Sequence, residues 1–582
     1  MKRTSALAAF GALVLIIVGS ALGNSRPPFP TGKIDLTSGT TDAVEADAVF
    51  TVGIGGPVTA TGSPPRVGDN VFANATQSGP PAGLVGRSET TLTLHGQNVL
   101  AGWNDAQGFC GTPFGAGCTQ QVPHGLSGYA YSTDGGQNWT DGGGPDSLGT
   151  NVLTRGDPWM DNNGGGTFYY ANLAVDKTTA ATLGVSIHRG HFAGGTFVWD
   201  DVQTFDSPEN AITPDDDFYD KEALVAGKNA NKNDAYVSLT NFQELCNLPQ
   251  NGFGQIEVWR THDGGATWQG PAIAGPEQAD SAAACGNTGT LQQSSAPAIA
   301  ANGDVYVTWQ VGPTFNALGQ ASVDADIVVA KSTDGGATFG APVKVADINS
   351  SRANAPVGYN RSRINDHPRM EVALTGKNKG RIYVTYYSSV SPVFATPTSQ
   401  QSLVDIQTYL KYSDDGGSTW SSPVTIGEAL PAHSATLGAT KRFWPDVSVS
   451  PGGEVHVVYL EERATGLTPN PADNECSRTV DGGTRLGKWS SLADTWWAYS
   501  KDGGESFSAP IKLSSGTSMW CTPSGNVISN IRPNMGDYID AQAGPGLKVY
   551  ALWADGRDAG PYPPFGPGNF LMAGSAFGMG KS

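Results

Sequence analysis

Ser132-Thr133-Asp134-Gly135-Gly136-Gln137-Asn138-Trp139 is the stretch that decides the fold, because the chain repeats it. The same frame returns at Thr261-x-Asp263-x-Gly265-x-x-Trp268 and Ser332-x-Asp334-x-Gly336-x-x-Phe339. It returns again at Ser413-x-Asp415-x-Gly417-x-x-Trp420 and Ser500-x-Asp502-x-Gly504-x-x-Phe507. Each copy follows a run rich in β-formers and precedes a shorter one, which predicts a tight hairpin turn. Adjacent glycines supply positive φ at little cost. The Asp carboxylate and the Ser or Thr hydroxyl accept hydrogen bonds from turn amides. The aromatic residue fills the gap between neighbouring sheets. Folding accounts for every residue of the motif, so Asp134, Asp263, Asp334, Asp415 and Asp502 read as structural. One hairpin per unit, at a period of several tens of residues, predicts a propeller or solenoid.

A second signal sets the number of units. Short strands rich in β-branched and aromatic residues fall at Asn98–Trp103, Gly166–Ala171, Ala235–Leu239, Asp304–Trp309, Arg381–Tyr386, Glu454–Tyr459 and Lys548–Trp553. They predict seven four-stranded units, with six as the alternative. Unit two carries a decayed turn at Gly194-Gly195-Thr196-Phe197, and unit seven carries none. Arg66–Asn74 is placed to supply the outermost strand of unit seven, which closes the ring and removes its exposed edges. The stretch from Arg463 to Trp489 reads as an insertion within unit six.

The ends and the composition bound the setting. Lys2-Arg3, the apolar run Ala6 to Val18 and Ala21-Leu22-Gly23 read as a cleavable export signal over residues 1–23. Residues 24–65, rich in Gly, Pro, Ser, Thr and Ala, read as a flexible arm, and 66–582 as one all-β propeller domain. In an exported chain Cys110, Cys118, Cys246, Cys285, Cys476 and Cys521 are expected to form disulfides; sequential pairing is the simplest of fifteen arrangements. The formal charge of −18 disfavours nucleic acid and anionic membranes as partners. No cofactor is implied. Asp215-Asp216-Asp217 concentrates oxygen ligands that suit calcium, although an exposed acidic turn accounts for it as well.

Polar residues gather just before or within the first strands of the units. They are Glu89; Arg155, Asp157 and Asp161; Asp220, Lys221 and Glu222; Asp366, His367, Arg369 and Glu371; Arg442 and Asp446; and Arg532, Asp537 and Tyr538. Glu461-Glu462-Arg463 and Arg557 come later in their units. Brought to one channel mouth, they form a site for a polar or anionic ligand. The bland account is that they are solvated, or pair with one another across units.

The repeated turn resembles the Asp box, or bacterial neuraminidase repeat, of sialidase-like β-propellers. That resemblance covers most of the chain after about residue 66. It implies a secreted protein that acts on or binds extracellular carbohydrate, with an exo-sialidase-type glycoside hydrolase as the catalytic version. In such enzymes arginines clamp the substrate carboxylate, a Tyr polarised by a Glu is the nucleophile, and an Asp is the acid/base. By position the resemblance makes Tyr538 with Glu461 the nucleophile pair and Asp157 or Asp161 the acid. Arg369, Arg442, Arg532 and Arg557 become the clamp. The family's Arg-Ile-Pro ahead of the first box is absent; Arg87-Ser88-Glu89 is the nearest arginine-bearing stretch, so the first clamp arginine is unassigned. The alternatives are a non-catalytic glycan- or protein-binding propeller and a polysaccharide lyase.

Overall fold

A computed structural model describes residues 66–67, 70–73, 87–105, 125–178, 182–205, 217–243, 253–276, 278–279, 289–315, 322–352, 354–356, 364–391, 404–434, 437–466, 489–519, 536–555 and 574–581. Residues 1–65, where an export signal and an arm are expected, all six cysteines, Asp215, Asp216, Arg532 and Arg557 lie outside them. The described residues are all β apart from one 3-10 turn at Asn229–Asn231. None of their helices is long and apolar enough to cross a membrane.

Unit one shows the plan. Arg87–His95, Asn98–Asp105, Ser127–Ser132 and Thr140–Gly143 pair in order as an antiparallel meander. The strands recognised from sequence are the second of each meander. A first strand lies inside each of them, at Arg87–His95, Trp159–Asn162, Asp217–Ala226, Gly289–Ile299, Arg369–Val372, Leu437–Val449 and Asp540–Ala543. These seven neighbour one another in a closed ring, the arrangement of a propeller. Counted by hydrogen-bonded ladders there are six sheets, because one parallel bridge, Ile406↔Lys441, joins units five and six into nine strands. In unit seven, Arg66–Val67 and Val71–Phe72 pair antiparallel with Gly574–Lys581.

The five repeated turns connect third to fourth strands and share one hydrogen-bond pattern. In unit four, Ser332 Oγ donates to Asp334 Oδ1 at 2.7 Å, and the Gly336 amide donates to that hydroxyl at 2.9 Å. The Thr338 amide reaches Asp334 Oδ1 at 2.9 Å and the Thr338 hydroxyl reaches Oδ2 at 2.6 Å. Asn138, Thr267, Thr419 and Ser506 repeat the side-chain bond in the other turns. These donors hold the Asp263, Asp415 and Asp502 carboxyls at about 2 against burial, which opposes them most at Asp502.

The second glycine of the turn is also a packing surface. A Cβ on Gly336 would meet the Tyr236 ring at 2.7 Å, and one on Gly265 or Gly504 would meet Tyr169 or Tyr383 at 2.9 or 3.0 Å. Tyr306 takes the same place against Gly417. Each tyrosine is the second residue of its Val-Tyr-Val-like second strand and covers the turn of the next unit. Unit two has no full turn and unit seven has none. The preceding units, one and six, carry Leu100 and His456 at the tyrosine position. Arginines add a second tie between neighbours: Arg189 Nη1 donates to Gly264 O, Arg260 Nη1 to Gly336 O, and Arg381 Nη1 to Gly503 O.

Candidate functional site

Strand register shows which residues share a level in the ring. The fourth residue of each second-strand motif pairs with Thr91, Trp159, Ala223, Ala296, Arg369, Asp446 and Asp540 on the seven innermost strands. Two residues earlier lie Glu89, Asp157, Lys221, Ser294, His367, Trp444 and Tyr538. Two residues later lie Thr93, Asp161, Val225, Ala298, Glu371, Ser448 and Gln542.

The earlier level is distorted in the same way unit after unit. Glu89, Asp157, Lys221, Ser294 and Trp444 have φ of 50°, 53°, 54°, 63° and 48°. The ladders slip at Ser88/Thr91, Asp220/Ala223, Gln293/Ala296 and Phe443/Asp446. These are β-bulges, which re-aim side chains and occur beside functional sites. A left-handed φ costs a non-glycine residue about 1–3 kcal/mol and survives only where surroundings enforce it.

The bulges converge on Lys221. Its Nζ lies 2.7 Å from Asp157 Oδ2, 3.1 Å from Glu89 Oε1, 3.1 Å from Asp537 Oδ2 and 4.0 Å from Asp220 Oδ1. All five side chains are almost fully buried. Burial works against the Lys221 charge, but Asp157, Glu89 and Asp537 outweigh it and push the ammonium well above its usual range. Burial likewise opposes ionisation of Asp157, yet the Lys221 ammonium beside it helps hold it below the ordinary carboxylate range. Two neighbours go the other way. Burial, then the Asp157 charge, pushes Glu222 well above its usual range, and burial does the same to Asp220 despite Lys221. At one end of the ring Asp157 is therefore biased towards its ionised form, whereas Glu222 and Asp220 are biased towards the neutral one. Both carboxyl oxygens of Glu222 are buried and have no protein partner.

A polar network carries the cluster into units four and five. Asn365 Nδ2 donates to Asp537 Oδ2 at 3.2 Å, while its Oδ1 accepts from Gln293 Nε2 at 2.8 Å and Arg352 Nη1 at 3.2 Å. Asp366, raised to about 6 by burial, accepts from the Ser350 hydroxyl and the Ser351 amide. Sequence reasoning missed Arg352, Asn365 and Gln293. The first two lie in the connection ahead of the innermost strand of unit five, where no period marks them.

Below the bulges the channel is plugged. The Arg369 guanidinium lies 4.4 Å from the Trp159 ring centroid and 5.3 Å from that of Tyr538. The Tyr538 hydroxyl donates to Pro158 O across the ring at 2.9 Å. Burial, then Glu89 and Asp157, push that phenol well above its usual range.

The sequence-derived residues therefore divide. Asp157 joins the Lys221 cluster, whereas Asp161 lies two levels away, bonded to Lys228 at 2.7 Å. Tyr538 sits in the channel but does not meet Glu461. Glu461 is the cross-strand partner of Arg442 and accepts from its Nε at 2.7 Å and from Arg463 Nε at 2.6 Å. Arg442 also donates to Gln407 Oε1 of unit five, at 2.9 Å, so it ties units five and six. Arg369 and Arg442 do not share a pocket. Among the described residues no group of three or more His, Cys, Asp or Glu side chains is arranged to hold a metal ion.

No known protein family and no curated protein matches the chain. Solved structures with a similar course include an α-L-arabinanase of Penicillium chrysogenum complexed with arabinobiose, at 13% identity and a TM-score of 0.37. That match covers 68% of this chain and 94% of the other. The Trypanosoma rangeli sialidase in complex with the inhibitor DANA matches at 12% identity, 73% of this chain, 57% of its own and a TM-score of 0.35. An α-L-arabinofuranosidase of Fusarium graminearum with arabinobiose matches at 11%, 64%, 88% and 0.34. Similarity at this level bears on neither substrate nor mechanism.

Proposed function

We propose that the protein is an exported glycan-directed propeller whose chemistry takes place at the bulged ends of the innermost strands. The observation that supports this reading most is that two buried carboxyls which interact electrostatically, Asp157 and Glu222, are shifted in opposite directions. Hydrolysis of a glycosidic bond needs one carboxyl that can give a proton and one that is ionised. In this reading Glu222 protonates the departing glycosidic oxygen, and the bond from that oxygen to the anomeric carbon breaks. Asp157 accepts a proton from the water whose hydroxyl ends on the sugar, and once the products leave that proton passes through solvent and Glu222 regains one, which restores both carboxyls. Lys221 keeps Asp157 ionised and orients it. Tyr538, its hydroxyl engaged by Pro158 O, closes the floor of the site.

A non-catalytic binding propeller is the second reading. It draws on the same cluster, because Lys221 of unit three joins carboxylates of units one, two and seven and would hold the ring closed without any turnover. A panel of fluorogenic glycosides, including an α-L-arabinofuranoside and a sialoside, separates the two. The expected result is turnover of at least one member, with kcat/KM reduced about 10²–10⁴-fold in both Glu222→Gln and Asp157→Asn. Turnover unaffected by either substitution would remove the catalytic assignment. Glycan binding without turnover would leave the binding propeller.

A further inference from the structure

At the opposite end of the innermost strands the ring encloses a second space. This axial cavity of about 420 Å³ lies within the usual size range of small-molecule sites, ~300–1,000 Å³. The Trp159–Arg369–Tyr538 plug separates it from the Lys221 cluster. We propose that this cavity is a separate binding site for a small uncharged polyhydroxylated ligand, a monosaccharide or a similar polyol.

The wall chemistry selects that class. Hydrogen-bonding groups are dense, yet their charges cancel within the wall. Lys228 bonds Asp161 at 2.7 Å. Arg369 interacts electrostatically with Asp446 and Asp540, and burial raises both of those carboxyls above their usual range. Glu371, half-buried in the wall, is pushed up to about 8 by burial and then by Asp161, so it is neutral at pH 7. Both cations of the wall have carboxyl partners, and burial disfavours charge on the remaining carboxyls, so a charged ligand entering the cavity loses hydration without finding a free counterion. A polyol loses less and finds both donors and acceptors. One lining residue carries an unused polar group: Ser448 is 5% exposed, and its buried hydroxyl bonds nothing in the protein.

Calorimetric titration of the full chain with galactose, arabinose and mannose tests the proposal, with glucuronate and glucosamine as charged counterparts. Saturable binding of at least one neutral sugar, tighter than either charged one, is expected. Gln542→Trp, which puts an indole into the cavity, should weaken it about tenfold or more, a loss of ~1.4 kcal/mol, and leave glycoside turnover unchanged. Asp157→Asn should leave it within about twofold. If Gln542→Trp fails to fold, Ser448→Ala decides in its place, with a loss of several-fold expected. The proposal is overturned by no saturable binding of any neutral sugar, by tighter binding of a charged one, or by wild-type affinity in the folded Gln542→Trp protein. Binding lost in Asp157→Asn but kept in Gln542→Trp would place the sugar at the bulged end, and overturn it too.

Discussion

The two ends of the ring are built from the same strands but follow opposite rules. At the turn end, one motif recurs five times with the same bonds, and at Gly265, Gly336, Gly417 and Gly504 a tyrosine of the preceding unit covers the second glycine. At the bulged end, the backbone distortion recurs but the residues do not: Glu89, Asp157, Lys221, Ser294, His367, Trp444 and Tyr538 occupy equivalent positions. Residues that repeat around a ring solve a problem every unit has, which is packing against the next. Residues that differ at equivalent positions answer to something that sits once on the axis. The difference separates folding from chemistry more sharply than residue type does, since both ends are rich in aspartate.

The largest break in that comparison comes from removing the centre of the bulged end. Lys221→Met leaves three carboxylates buried without their cation and should lower stability by about 3–5 kcal/mol. Chemical denaturation checks this, and a loss below about 1 kcal/mol would show that the cluster does not hold the ring. A smaller break is expected at the turn end. Gly336→Ala forces alanine into φ of 78° and drives its Cβ against Tyr236. That should cost at least about 1–2 kcal/mol from the backbone conformation alone. Gly380→Ala, with a φ of 91° but open space around its Cβ, should cost less, which isolates the packing contribution.

The seam between units one and two, where the repeated turn is missing, gives a pH-dependent effect. His188 is fully buried there against Trp199, and burial lowers it from 6.5 to about 3. The neutral form is therefore bound to the folded state. Its contribution is fully present above about pH 6.5 and is lost as pH falls towards 3. His188→Phe should flatten the decline of Tm across that window; an unchanged pH profile would assign acid lability elsewhere. The smallest effect expected on stability is that of Glu222→Gln. It replaces a carboxyl whose burial favours the neutral form with an amide of the same size and should move Tm by no more than about 2 °C.

Much of the ring was legible in one dimension because it repeats. The turns, the units and the charged residues ahead of each first strand, including Glu89, Asp157, Asp220, Lys221, Glu222 and Asp537, all stand out in the chain. Which of them meet was not legible. Glu461 is drawn to Arg442 because register places them opposite each other on adjacent strands, and that pairing across 19 residues leaves no local mark. The side chain before each turn aromatic (Asn138, Thr267, Thr338, Thr419 or Ser506) passed as variable because three residue types do the same job there. The tyrosine that covers each turn belongs to the preceding unit, so it becomes visible only once the units are set side by side.

The central claim is that Asp157 and Glu222 are kept in opposite protonation states for a reaction at the bulged end. The pH dependence of kcat/KM on whichever glycoside is turned over, in the wild type and in Glu222→Gln, tests it most directly. Asp157 is depressed, so activity should persist on the acid side until pH falls below the ordinary carboxylate range. Glu222 is raised, so activity should fall only as pH climbs above that range and the proton is lost. The residual activity of Glu222→Gln should keep the acid limb and lose the alkaline one. A variant that keeps both limbs at the wild-type rate would contradict the assignment.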